Sequence, residues 1–493
     1  MSHVVASWTS GRADTLRQAL RMSNEAFAEH LGVAVRTVAY WRTRPNIIPQ
    51  PAIQETLDAA LANAQQSVKE QFFLLLASDE SGDGQARPQV GGGGANYRSD
   101  ETDKDVLASH NDWLSARRNL NQNRAKLTQI VSRIYPEEIR LGATGILMPE
   151  SWRLRAPVDL TSVELKWREI APPLSVTGQH AETARLRPLV APNRQYTRYH
   201  RAMRDLDRPR LFENRLCYRL LSVDAGASDS DKRLTLDMTL GNMCYFDMID
   251  VGEALAHETG LVGCPQGDVV PNRITWESLP FRRMVRDPFA LSRYPLMLSV
   301  STLTVRQSDA GTTFLLLRRN PAKVAIAGGM LSVFPTGVFQ PASVAPAPDS
   351  PDFDLWRNVM REYSEEFLGN PEHDGDGPPI DYENEEPFRS LNQALRAGKI
   401  RVLCLGVGVD ALNYVGDVFT VAVFDADVFD RVFDGMVKQN DEGDVVSGDD
   451  RQAFNFDGPT IERLLSTEPI APSGAACLSL AWQHRDAIVN NRP

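Results

Sequence analysis

The chain has 493 residues, more than a single hydrophobic core sustains, so two or three domains are expected. A formal net charge of −11 excludes a protein that coats nucleic acid nonspecifically, and no apolar run approaches the roughly 20 residues that span a bilayer. Five scattered cysteines, at 217, 244, 264, 404 and 477, form no C-x-x-C pair; they suggest neither a disulfide framework nor a zinc site and fit a reducing cytoplasm. The opening MSHVVASWTSGRAD lacks the basic-plus-apolar character of a secretory signal, so a cytoplasmic location without a membrane partner is expected.

In chain order, a first helix is predicted from near Arg12, with Leu16 and Leu20 one turn apart. Ser23 is a good N-cap for a second helix carrying Glu25 in its first turn and Phe27 and Leu31 on one edge. Gly32 suits the left-handed stop of that helix. A further helical run covers Val35 to Arg42, with Val38 and Trp41 facing inward and Arg36, Thr37 and Tyr40 outward. Pro45, Pro49 and Pro51 break the next segment, and Pro51 opens a helix with Ile53, Leu57 and Leu61 on one face. The expected small core is Leu16, Leu20, Phe27, Leu31, Val38, Trp41, Ile53 and Leu57. Between Arg12 and Arg44 six arginines face three acids, a locally basic patch on an acidic protein.

Two short helices joined at a glycine, the second exposing Arg, Thr and Tyr, resemble the phage-repressor-like helix-turn-helix regulators, as found in actinobacteria, over about the first 76 residues. The resemblance implies a recognition helix in the major groove of double-stranded DNA. It places Asn24 where the family's Gln touches a phosphate, and Val35, Arg36, Thr37 and Tyr40 on the reading surface. Arg42 and Arg44 are then phosphate contacts, with Arg36 the candidate for a base edge. Ala34 stands where Ser or Thr usually caps the recognition helix, which weakens the cap by roughly 1 kcal/mol. The alternative is an ordinary helical hairpin with a surface arginine.

Ser78 to Lys104, with four consecutive glycines at 91 to 94, reads as a disordered linker. Its r.m.s. span of about 30 Å approaches the roughly 34 Å between half-sites one DNA turn apart, which suits two heads on a homodimer. A polar helix is predicted from about Asn111 to Ile134, with Trp113, Leu120, Leu127 and Ile134 at intervals of seven and Ala116 and Ile130 beside them. That stripe packs on its own domain or serves a dimer. LCYRLLSVD and RLTLDMTLG read as strands, and MIDVGEALAHE as a strand end entering a helix. His200 with Arg198 and Arg201, and His257 with Glu253 and Glu258, read as surface or satisfied interior groups.

From Leu291, PLMLSVSTLTVRQSDAGTTFLLLRRNP reads as a hairpin turning at Ser308 to Gly311. GGMLSVFPTGVFQP, a proline-rich insertion and the helix DFDLWRNVMREYSEEFLG follow. Glu362, Glu365 and Glu366 at i, i+3 and i+4 share one face of an α-helix, and clustered carboxylates suit a hard cation such as magnesium.

Arg361 to Glu366 resembles the helical half of the Nudix signature, R-E-x-x-E-E, within a resemblance covering about 291 to 430. It implies the three glutamates as metal ligands and Arg361 as a structural partner. The other half departs. With Gly337 as the loop glycine, the usual glutamate is Ser343, some ten extra residues separate loop and helix, and the closing Gly369 arrives one place late. A lengthened loop without its carboxylate suits binding better than hydrolysis.

The expected fold class is multidomain α+β: an all-α helix-turn-helix head (1–77), a linker (78–104), an α+β middle region with a candidate dimerisation helix (105–290), and a Nudix-like α/β/α sandwich (291–490). The expected function is a sequence-specific, dimeric DNA-binding transcriptional regulator whose body senses a nucleotide-like ligand. The alternatives are a magnesium-dependent hydrolase of nucleoside diphosphate compounds carrying a DNA-binding head, and an interaction scaffold with neither activity.

Overall fold

The computed structural model describes residues 8–20, 22–31, 38, 41, 47–49, 51–64, 68–69, 72, 75–76, 99–209, 212, 214–227, 234–319, 329–342, 350–371, 379–437, 443–446 and 453–490. These fall into two compact units, one within residues 1 to 96 and one from residue 97 onward. Together they make a mixed α+β chain.

The first unit is built from helices α1 (Ser10–Leu20), α2 (Asn24–Leu31) and α3 (Pro51–Asn63). The Thr9 hydroxyl accepts the Arg12 N–H and starts α1 two residues before its expected position. The Ser23 carbonyl accepts the Phe27 N–H, which puts Ser23 at the N-cap of α2, and Pro51 opens α3, where a missing N–H costs nothing. Leu16, Phe27, Leu31, Val38, Trp41 and Leu57 are all buried in one cluster, with Leu20 and Ile53 packed against it. Trp8 and Phe72 extend it, and the Trp8 indole donates to Asp58 at 2.7 Å.

The second unit opens with α4 (Ser99–Ser132), so the last residues of the expected linker, 99 to 104, are helical; 78 to 98 lie outside the described residues. Trp113, Ala116, Leu120 and Leu127 are buried and face α6 (Ala254–Gly263) within the same unit. The heptad stripe is thereby spent on its own core, one of the two readings its spacing allowed.

Strands β1 (Ile146–Leu147) and β2 (Arg153–Asp159) are followed by a separate parallel-antiparallel trio: β3 (Glu164–Trp167), β4 (Leu216–Ala227) and β5 (Leu234–Cys244). Helix α5 (Tyr199–Leu206) lies between β3 and β4 in sequence. MIDVGEALAHE contains no strand end. The chain is helical from Tyr245 into α6, with a π-helical turn over Ile249–Glu253.

The C-terminal part contributes β6 (Leu298–Ser308), β7 (Gly311–Phe314), β8 (Leu316–Arg319), β9 (Leu331–Ser332), β10 (Thr336–Val338), α7 (Leu355–Glu362), β11 (Ile400–Asp410), β12 (Gly416–Asp425), β13 (Gly443–Val446), β14 (Phe454–Asn455) and α8 (Pro472–Gln483). The hairpin turns where expected, but FLLLRR divides: β7 stays in the large sheet, while β8 joins β9 and β13. The large sheet runs β1-β11-β12-β6-β7-β14, with β2 also on β11 and β10 also on β6. The boundary expected at 290 is therefore not where the chain divides. Ile146 pairs with Asp410 and Val158 with Cys404, so the regions 105–290 and 291–490 share one sheet and one continuous core.

Alternation along β6 and β12 sends their side chains to two faces. Thr304 bonds the Tyr363 hydroxyl at 2.8 Å, and Phe424 packs edge-on to the same ring. Ser301 points the other way and donates to Asp417 at 2.8 Å, where α8 brings Cys477 against the sheet.

Candidate functional site

In the first unit Val38 and Trp41, 1% and 3% exposed, are buried in the core. Asn24, the first residue of α2, is half-buried, and its Oδ1 has no hydrogen-bond partner among the described residues. The other expected DNA contacts, Val35, Arg36, Thr37, Tyr40, Arg42 and Arg44, lie outside the described residues, as do Gly32 and Ala34.

The expected glutamate cluster lies at the end of α7. Asp354 caps that helix by accepting the Arg357 N–H. From Tyr363 to Phe367 the backbone widens into a π-helical turn. On this wider turn Glu362 and Glu366, four residues apart, stay on one side, while Glu365 departs from the face that a turn of 3.6 residues would share. Glu366 is buried and accepts the Thr336 N–H at 2.8 Å, while Glu365 stays half-buried. Glu362 lies flat against Gly337, where an added Cβ would come within 1.8 Å of its Oε1. Two of the three carboxylates thus converge on β10 and hold it to the helix. Among the described residues no group of three or more His, Cys, Asp or Glu side chains is arranged to hold a metal ion.

Arg361 is 3% exposed and fully engaged: it bonds the Tyr382 hydroxyl at 2.8 Å, the Gln340 carbonyl at 2.7 Å and Asn358 at 2.8 Å, and lies 3.5 Å from Asp352. Tyr382 in turn donates to Asp352 at 2.7 Å. Asp352 is thus the acid beside Arg361. Ser343 lies outside the described residues.

Sequence reasoning missed a second polar centre, on the other π-helical turn. Glu253, 1% exposed, takes Arg124 at 2.9 Å and Arg117 at 3.5 Å. Burial alone would raise its pKa, but the two guanidiniums outweigh burial and hold it below the usual range. Arg117 also bonds Asp207 at 2.7 Å and the Tyr199 hydroxyl at 3.0 Å. That hydroxyl meets His257 Nδ1 at 2.7 Å, and burial, helped by Arg117, drives the imidazole pKa down to about 3. His257 is thus a neutral interior group, as its sequence context suggested. The one available signal was two arginines seven apart on the apolar side of α4, a placement that needs a buried acid.

Among the described residues no helix is long and apolar enough to cross a membrane. No protein-family model matches the chain, and no curated protein matches it.

Proposed function

We propose that the protein is a sequence-specific DNA-binding transcriptional regulator that acts as a homodimer and whose larger unit senses a nucleotide-like ligand. The observation that carries this reading is the single cluster joining Leu16, Phe27, Leu31, Val38, Trp41 and Leu57. A helix-turn-helix needs its second helix seated on the first by an inward pair, and Val38 with Trp41 supplies that pair. The sequence assigns the outward positions of the same segment to Arg36, Thr37 and Tyr40.

The dimer follows from affinity. One head reading three or four base pairs at about 1 to 3 kcal/mol each cannot compete against millions of genomic sites, and two heads roughly double the discrimination. With the α4 stripe buried in its own unit, pairing uses another surface. A sensor is favoured over a magnesium-dependent hydrolase because one oxygen of the buried Glu366 carboxylate is taken by the Thr336 N–H. A hydrolase needs its carboxylates on metal and water.

Binding-site selection tests the DNA reading. Arg36→Ala relaxes sequence preference, whereas Arg44→Ala weakens binding to all sequences alike; an unchanged preference in Arg36→Ala refutes the assignment. A panel of nucleoside diphosphate compounds with magnesium, read for thermal stabilisation and for phosphate release, tests the body. Stabilisation without turnover supports a sensor, and turnover abolished by Glu365→Gln replaces it with an enzyme.

A further inference from the structure

Where the helix Gly458–Thr467 meets α8, an open groove of about 580 Å³ is lined by Pro459, Glu462, Leu465 and Ser466 on one side and Trp482 on the other. Ile461 and Leu464, 2% and 1% exposed, use up the inward edge of that helix. Glu462, Leu465 and Ser466, at i, i+3 and i+4, therefore share an outward face, and Leu465 stands 37% exposed on it.

Trp482, near the end of α8, forms the far wall. Its indole lies edge-on to Phe456 with centroids 5.7 Å apart, and a Cβ on Gly458 would come within 3.1 Å of its Cζ2. Arg485 covers the same ring: its Cζ lies 5.0 Å from the ring centroid, and its Nη1 donates to the Trp482 carbonyl at 3.3 Å. Neither Glu462 nor Arg485 has an ion-pair partner among the described residues. Folding explains the inward residues of this region. It does not explain an exposed leucine beside a fixed indole, with an acid on one edge of the groove and a base at the other.

Resting on the homodimer reading, we propose that this groove is the surface through which two copies of the chain pair. A two-fold axis sets one residue against another and repeats the contact with the roles exchanged. Leu465 then enters the partner's groove beside the indole of the partner's Trp482, and Glu462 meets the partner's Arg485, each contact made twice. Ridge and hollow, acid and base all belong to one surface, so a second copy complements it in both shape and charge. Leucine against indole supplies apolar burial, and the carboxylate–guanidinium pairs at the rim fix the register. Tryptophan and arginine are also the residues that most often anchor such interfaces. The homodimer gains here the surface that α4 does not offer, since its apolar stripe packs on α6.

Sedimentation equilibrium of the full chain over a wide concentration range tests the surface. The wild type is expected to show a monomer–dimer equilibrium. Leu465→Ser, Glu462→Arg and Arg485→Glu should each raise the dissociation constant about tenfold or more, because every change is felt twice in a symmetric pair. All three residues are exposed, so the fold is kept; unchanged near-UV circular dichroism checks this. Mixing Glu462→Arg with Arg485→Glu restores opposite charges at both contacts of the mixed pair and should return the dissociation constant to near the wild-type value. A wild type that stays monomeric throughout refutes the homodimer and this surface together. A wild-type dimer that the three variants leave intact overturns the surface alone and leaves the homodimer standing. Weakening by the two charge variants without recovery in their mixture also overturns it, because the reversed charges then do not meet each other.

Discussion

Asp417 lies at the start of β12 and is 6% exposed; its Oδ2 accepts the Ser301 hydroxyl, and its Oδ1 has no partner among the described residues. Burial is the main reason its pKa rises from 3.8 to about 7, with the neighbouring Asp410 pushing the same way and Ser301 and Ser299 opposing. An acid with a raised folded pKa favours the protonated folded chain. Between pH 3.8 and about 7 the folded state holds a proton that the unfolded state has lost, so this contribution is complete below pH 3.8 and disappears as pH climbs through 7. At about 1.4 kcal/mol per pH unit, ionising Asp417 costs up to roughly 4 kcal/mol. Asp417→Asn keeps an acceptor for Ser301 and removes the titration. Urea unfolding at several pH values from 5 to 8.5 should show the variant gaining on the wild type by about 1 kcal/mol or more per pH unit up to neutrality. A stability difference that is flat with pH, or a wild type more stable than the variant at pH 8, would show that the carboxylate is not desolvated as its surroundings imply.

Glu253→Gln leaves Arg117 and Arg124 buried without their carboxylate and should cost about 3 to 5 kcal/mol by urea unfolding. Its pH signature is opposite to that of Asp417, since a lowered pKa gives stability that is present above the ordinary carboxylate range and lost on acidification. Gly337→Ala drives a methyl into the Glu362 carboxylate and should destabilise the second unit. The loss should shrink in a Glu362→Ala background, and additivity of the two changes would show that the contact is not responsible. Leu57→Ala, at a fully buried site, should cost about 2 to 5 kcal/mol and abolish operator binding while near-UV circular dichroism of the second unit is kept. Retained DNA affinity in that variant counts against the head as the reading element.

The sequence by itself determined the features whose cause is local. Leu16, Phe27, Leu31, Val38, Trp41 and Leu57 meet in one core because three- and four-residue spacing allows a helix only one inward edge. Pro51 opened its helix, β4 and β5 formed over the two runs read as strands, and the hairpin turned at Ser308 to Gly311, each for a reason lying within a few residues. Arg361 was legible as a structural residue, but its partners were not: Asp352 is nine residues away and Tyr382 twenty-one. Tertiary structure alone decided that β1 and β2 join β11, which merges two expected domains, because strand pairing depends on surfaces more than two hundred residues apart. It also decided both π-helical turns. At the first, the Asn413 carbonyl presses so close to Gly252 that a Cβ there would lie 2.5 Å away, an approach no local pattern announces. The second turn moved Glu365 off the side that Glu362 and Glu366 share. An even helical spacing implied a shared carboxylate surface, and long-range packing placed two of those carboxylates on the backbone of β10 instead.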